Sequence, residues 1–195
     1  MQYLKNLTEM IRENQDAVIT DYLLNPTRGK VNYYFRVDID TLDCIKNLKH
    51  IEDFLLSQNI PAGLFLRTDN ETYNPADYTN IIKNINPCFE IGLHTCAYKE
   101  ENPILSFKNE INEWEVLMGR KLKSFTLHGL GAYYNEAKNH FLINTKKRFN
   151  LFSDNYHSHR KYHYTIHDSH LSEHKERYIQ TDFTNPPLYN LKDAN

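Results

Sequence analysis

The sequence predicts an α/β fold with a largely parallel sheet, shaped as a partial or distorted barrel rather than an open nucleotide-binding sheet. Three observations carry this expectation. Short β-branched and aromatic runs alternate with amphipathic stretches of helical period over most of the chain. Two of those stretches are announced by Asn-Pro, an N-cap residue followed by proline at the first helical position. Neither GxGxxG nor GxxxxGK[ST] occurs, so nothing in the sequence supports a phosphate cradle at a helix N-terminus.

The elements follow in order. Leu4, Leu7 and Ile11 stand at helical spacing and predict a first helix over residues 4–11. Asn25-Pro26-Thr27-Arg28-Gly29 reads as a break. The run from Val31 to Asp40 is a strand. Thr41 caps the next helix, which carries Leu42, Ile45, Leu48, Ile51 and Leu55 on one face and stops before Pro61. Ala62 to Arg67 is a short apolar strand. Asn74-Pro75 opens a helix whose stripe is Tyr78, Ile81, Ile82 and Ile85. Cys88 to His94 is a third strand. Asn102-Pro103 opens a helix with Ile104, Phe107, Ile111, Trp114 and Met118 on one side, ended by Gly119. Ser124 to His128 is a strand, and a helix occupies residues 135–147. Phe149 to Ser153, Tyr162 to Ile166 and Tyr178 to Thr181 are later strands.

Composition removes several function classes. The chain has 195 residues, 23 basic and 25 acidic, for a formal net charge of -2. That balance gives no electrostatic argument for nucleic acid or an anionic membrane. No apolar run approaches the roughly 18 residues of a membrane span. Cys44, Cys88 and Cys96 form no CxxC pair and no disulfide framework, and they read as structural thiols. Met1-Gln2-Tyr3-Leu4-Lys5 does not resemble a secretory signal, so a cytoplasmic location is expected. Ten histidines are many for this length, and six lie between His157 and His174. Arg160, Lys161 and tyrosines interleave with that cluster, which reads as a solvated hairpin and loop.

The chemistry sits where the strands end. The first strand ends in Asp38 and Asp40, the second in Arg67 and Asp69, and the third in His94. The fourth ends in His128, the fifth in Asp154, and a late one in Asp182. C-terminal strand ends build the active sites of barrel-like α/β folds. Asp38 and Asp40, two residues apart on a strand, face the same way. Two carboxylates on one face repel unless one binds a cation or stays protonated, so one is expected to bind metal and the other to act as base. His94 and His128 add two imidazoles to one carboxylate, a common set for a divalent ion.

Val37-Asp38-Ile39-Asp40, then Ala62-Gly63-Leu64-Phe65, then Glu90-Ile91-Gly92-Leu93-His94-Thr95 resemble, in order and spacing, the NodB-type polysaccharide deacetylases of carbohydrate esterase family four. Leu127-His128-Gly129 is similar to a later His-Gly block found in a divergent branch of that family. The resemblance covers roughly residues 30–185. It implies a distorted (β/α) barrel with fewer than eight strands; chain length separately predicts a single domain, 1–195, in which residues 1–28 are an N-terminal helical extension and residues 30–185 the deacetylase-like barrel. It implies that Asp38 is the catalytic base, and that Asp40 and His94 are metal ligands. The family's second histidine stands four residues after the first; here that position is Tyr98, a poor zinc ligand because its pKa is about 10. His128 is the candidate replacement. The family's arginine-bearing third motif is not recognisable near residues 125–131. Asp154 resembles its late aspartate, and Asp182 stands where its final histidine, the general acid, would be. Asp182, His167 and His170 are the candidates for that role. Arg67, Tyr98 and Asp154 are assigned to substrate binding.

The implied function is metal-dependent removal of acetyl from an N-acetylated sugar or polysaccharide precursor. The cofactor would be one divalent metal, zinc ahead of cobalt or nickel. The partner would be a small-molecule or oligosaccharide N-acetyl sugar, with no nucleic acid and no membrane span. Two alternatives remain: a carbohydrate-binding or regulatory protein on the same fold with its chemistry lost, and a metal-dependent hydrolase of another small amide or ester.

Overall fold

The computed structural model describes residues 2–21, 30–33, 35–68, 73–128 and 136–153. They fall into two compact units. The first, among described residues, holds helix α1 (Gln2–Glu13), strand β1 (Ala17–Ile19) and strand β2 (Val31–Tyr33). Ile11 and Thr8 are its buried helical positions. An Asn14 turn follows the helix, with the Asp16 amide donating to Asn14 Oδ1 at 2.9 Å. β1 and β2 then pair in parallel, Ala17 opposite Val31.

The second unit carries the alternation that the sequence predicts. It runs β3 (Phe35–Ile39), α2 (Leu42–Lys46), α3 (Leu48–Ser57), β4 (Ala62–Leu66), α4 (Thr79–Lys83), β5 (Glu90–Thr95), α5 (Pro103–Met118), β6 (Phe125–Leu127) and α6 (Glu136–Arg148). The four strands are parallel and stand in chain order, β3-β4-β5-β6, forming a curled half-barrel. Each crossover therefore moves one strand along in the same direction, as in a barrel, and no strand order reverses.

Register gives the sheet two contrasting faces. Asp38 lies opposite Phe65, and Phe65 opposite Gly92; Ile39, Leu66, Leu93 and Phe125 form the next row. Because side chains alternate along a strand, Ile39, Leu64, Leu66, Leu93, Phe125 and Leu127 share one face, and all are buried. Helices cover that face. Phe107 of α5 packs on Phe125 at a ring separation of 4.8 Å and on Phe141 of α6 at 5.3 Å. Trp114 of α5 is buried and donates from its indole nitrogen to the Gly92 carbonyl at 3.3 Å. The opposite face, inside the curl, carries Arg36, Asp38, Phe65, Glu90, Gly92, His94, Ser124 and Thr126 by the same alternation.

The local signals act as expected at the caps. Thr41 accepts from the Cys44 amide, Asn74 from the Ala76 amide and Asn102 from the Leu105 amide. Gly119 closes α5 in the left-handed conformation, φ 65°. Four expectations need correction. The strand expected over residues 31–40 is two strands, because β2 pairs with β1 while β3 pairs with β4. The helix expected after Thr41 breaks at Asn47, which leaves the helical backbone at φ -93°, ψ 5° and whose backbone and side-chain amides both donate to the Asp43 carbonyl, at 3.0 and 2.8 Å. Cys88 is in a turn, its amide held by Asn86 Oδ1 at 3.0 Å, so the third strand starts at Glu90. The strand expected over residues 149–153 is reduced to one parallel bridge, Ser124 to Phe152. The strands expected at residues 162–166 and 178–181, and the break at residues 25–29, lie outside the described residues. Among described residues, no helix is long and apolar enough to cross a membrane.

Candidate metal centre

Three strand ends meet at one point of the inner face. Asp40 follows β3, His94 lies in β5, and His128 follows β6. One ligand atom from each lies within 4.8 Å of the others, so the group could hold a metal ion. His94 Nε2 is 3.1 Å from Asp40 Oδ1, and His128 Nε2 is 3.9 Å from the same oxygen. Donors around a tetrahedral ion with bonds of about 2.1 Å stand roughly 3.4 Å apart. The observed separations bracket that value. Two imidazole nitrogens and one carboxylate oxygen therefore suit such an ion in number, with the two separations to Asp40 Oδ1 near the required spacing and the third no more than 4.8 Å.

Each imidazole is fixed from behind. His94 Nδ1 lies 2.6 Å from Thr126 Oγ1, its register partner on β6. His128 Nδ1 lies 3.0 Å from Cys96 Sγ. The two rings meet edge to face at a centroid distance of 5.2 Å. The amide of His128 donates to the Thr95 carbonyl at 2.9 Å, which carries the β5-β6 ladder one residue further and sets His128 beside His94. His94 is buried, while His128 and Asp40 are part-exposed.

Electrostatics favour a charged Asp40 and a neutral His128. Burial pushes the Asp40 carboxyl up, but the hydrogen bond from His94 and the field of its neighbours, the Arg67 guanidinium among them, outweigh it and hold the group below its ordinary value. Burial, helped by Arg67, pushes the His128 imidazole down, against the pull of Asp40. A carboxylate and a neutral imidazole are the protonation states a metal requires.

Asp38 stands next to this triad and has a different partner. Its Oδ2 accepts from Arg36 Nη2 at 2.6 Å and from Arg36 Nε at 3.1 Å, and lies 3.7 Å from His94 Nε2. Its Oδ1 is buried and has no hydrogen-bond partner among the described residues. An arginine thus reaches Asp38 from two residues back on its own strand. Arg36, Cys96 and Thr126 were not singled out as site residues from the sequence. The signal was present: each has the same strand parity as Asp38, His94 or His128 and so falls on the same face.

Arg67 follows β4 and is buried, with Nη2 3.8 Å from Cys96 Sγ. Its backbone amide donates to the Tyr73 hydroxyl at 3.1 Å, which in turn donates to the Ile39 carbonyl at 2.6 Å and ties the end of β4 to the end of β3, just before Asp40. Tyr98 is buried in the turn after β5. Its hydroxyl donates to the His128 carbonyl at 3.0 Å, and Lys138 of α6 sits 4.9 Å above its ring. Burial pushes the Tyr98 phenol up, so it stays protonated and able to donate. Asp69, Asp154, His167, His170 and Asp182 lie outside the described residues, as does the whole histidine cluster from His157 to His174.

No protein-family model, no curated protein and no solved structure matches the chain.

Proposed function

We propose that the chain is a metal-dependent hydrolase that removes the acetyl group from an N-acetylated sugar or polysaccharide precursor, using one divalent ion, zinc ahead of cobalt or nickel. One observation carries the reading: Asp40, His94 and His128 converge at the strand ends with Asp38 beside them. The order of the NodB-like sequence blocks supports it, because those blocks supply Asp38, Asp40 and His94.

Asp40, His94 and His128 would hold the ion. It would supply Lewis-acid polarisation of the acetamido carbonyl and a lowered water pKa. Asp38 would take the proton of the attacking water at Oδ1, its atom without a hydrogen-bond partner among the described residues, while Arg36 holds Oδ2 and fixes the carboxylate plane. Thr126 and Cys96 hold the imidazoles in place. On the sequence reading, Asp182, His167 or His170 would protonate the departing amine and Arg67, Tyr98 and Asp154 would contact the sugar; of these, only Arg67 and Tyr98 are among the described residues.

The competing reading is a carbohydrate-binding protein on the same fold. It draws on Tyr98, which stands where the family has a second histidine and instead bonds the His128 backbone. Acetate release separates the two. Zinc-loaded protein is expected to free acetate from N-acetylated sugars, and Asp38→Asn to lower that rate by roughly 10²–10⁴-fold, the usual worth of a general base, while zinc still binds. Zinc-loaded protein that binds such sugars without releasing acetate would favour the competing reading.

A further inference from the structure

Cys96 is two residues beyond His94 yet touches the other histidine. Its sulfur lies 3.0 Å from His128 Nδ1 and 3.8 Å from Arg67 Nη2. A guanidinium has only donors, so Cys96 Sγ accepts from Arg67. His128 Nε2 faces the triad, and Asp40 Oδ1 at 3.9 Å is beyond its hydrogen-bond reach. If Nε2 is to offer a lone pair, the imidazole proton must sit on Nδ1, and Cys96 Sγ is the atom placed to receive it. Thr126 stands in the same relation to His94 Nδ1, so the two imidazoles are held alike, one by a hydroxyl and one by a thiol.

We infer that Cys96 is the positioning residue of His128: backed by Arg67, its sulfur accepts the Nδ1 proton and so turns the Nε2 lone pair toward Asp40 and His94. This rests on the metal reading above. In the sequence Cys96 belongs to no thiol pair and reads as a buried apolar residue, although strand parity sets it on the face of His94. The geometry makes it an outer partner of a metal ligand, the place usually filled by a carboxylate or a backbone carbonyl.

Two measurements test it. The first is the tautomer of His128 by nitrogen-edited NMR of metal-free protein at a fixed pH near 8, where the ring is neutral. The Nδ1–H form is expected, giving way to a mixture in Cys96→Ala. The second is zinc affinity by titration calorimetry. Cys96→Ala is expected to weaken zinc on the order of 10–100-fold, the usual cost of losing an outer partner. Cys96→Ser is expected to recover most of that loss, and Cys88→Ala, at an exposed thiol, to change nothing. An Nε2–H tautomer in the wild type overturns the inference even if Cys96→Ala does not fold. So does a folded Cys96→Ala that binds zinc as the wild type does. A chain that binds no zinc but shows the Nδ1–H form, lost in Cys96→Ala, overturns the metal reading and upholds the hold of Cys96 on the ring.

Discussion

At Gly92 the inner face has no room for a single methyl group. A Cβ there would lie 2.3 Å from Phe65 Cε1 and 2.7 Å from Ser124 Oγ. Phe65 is fully buried and stands in register between Asp38 and Gly92, so its ring cannot retreat freely. Gly92→Ala is therefore expected to lower stability by about 1–3 kcal/mol in urea denaturation, the range for overpacking; unchanged stability would mean the ring does not rest on Gly92. A glycine inside a strand is a general signal of close approach, but the sequence cannot say that the neighbour of Gly92 is Phe65. That contact depends on register between strands, which no single strand encodes. Glu90, two residues back on the same face, carries a pH effect. Burial pushes its carboxyl up, although a hydrogen bond from Ser124 and charge at Lys123 and Arg120 pull it back. A raised acid binds more protons folded than unfolded, so its contribution is fully present below the unfolded pKa and is lost as pH rises through the folded one. Glu90→Gln keeps an oxygen for the Ser124 hydroxyl. Thermal melts of the two proteins should coincide at acidic pH and separate in favour of Glu90→Gln toward neutral pH. A wild type that gains on the variant as pH rises would refute this.

Among the elements, those with their own local chemistry were legible and those made by pairing were not. Asn102, Pro103 and Gly119 mark both ends of α5 without help from the rest of the molecule, because capping involves atoms within one turn. Asn102→Ala leaves the Leu105 amide without that acceptor and is expected to cost about 1 kcal/mol, read as a lower urea midpoint with unchanged slope. No change would show that the cap is satisfied by another group. The break at Asn47 was not legible, since the apolar stripe continues through it from Ile45 to Leu48, Ile51 and Leu55 and only the backbone of Asn47, at φ -93°, ψ 5°, interrupts the helix. Strand β1 was missed because three residues give no period to read. Its partner β2 looked continuous with β3, as both are β-branched and aromatic. At the site, strand parity placed Asp38 and Asp40 together. Extended one step back to Arg36, and one step on from His94 to Cys96, the same rule finds the groups that hold them.

Across the second unit, function follows from a sheet whose strands stand in chain order. Since every strand is parallel to its neighbour, their C-terminal ends lie on one edge, and polar residues scattered from position 38 to position 128 come together there. The helices take the apolar side of each strand, which leaves the other side free for Asp38, Asp40, His94 and Thr126. Alternation of strand and helix made this arrangement readable in outline, and the three ends that meet were each named from sequence. What it could not supply was distance: whether His128 reaches the Asp40–His94 pair depends on the Thr95–His128 backbone bond. The most direct test of the whole account is zinc titration of untagged, metal-free protein by calorimetry, with metal content checked after dialysis. About one ion per chain is expected, with binding abolished or severely weakened in Asp40→Ala, His94→Ala and His128→Ala. No binding by the wild type, or folded variants that bind zinc as the wild type does, would contradict it.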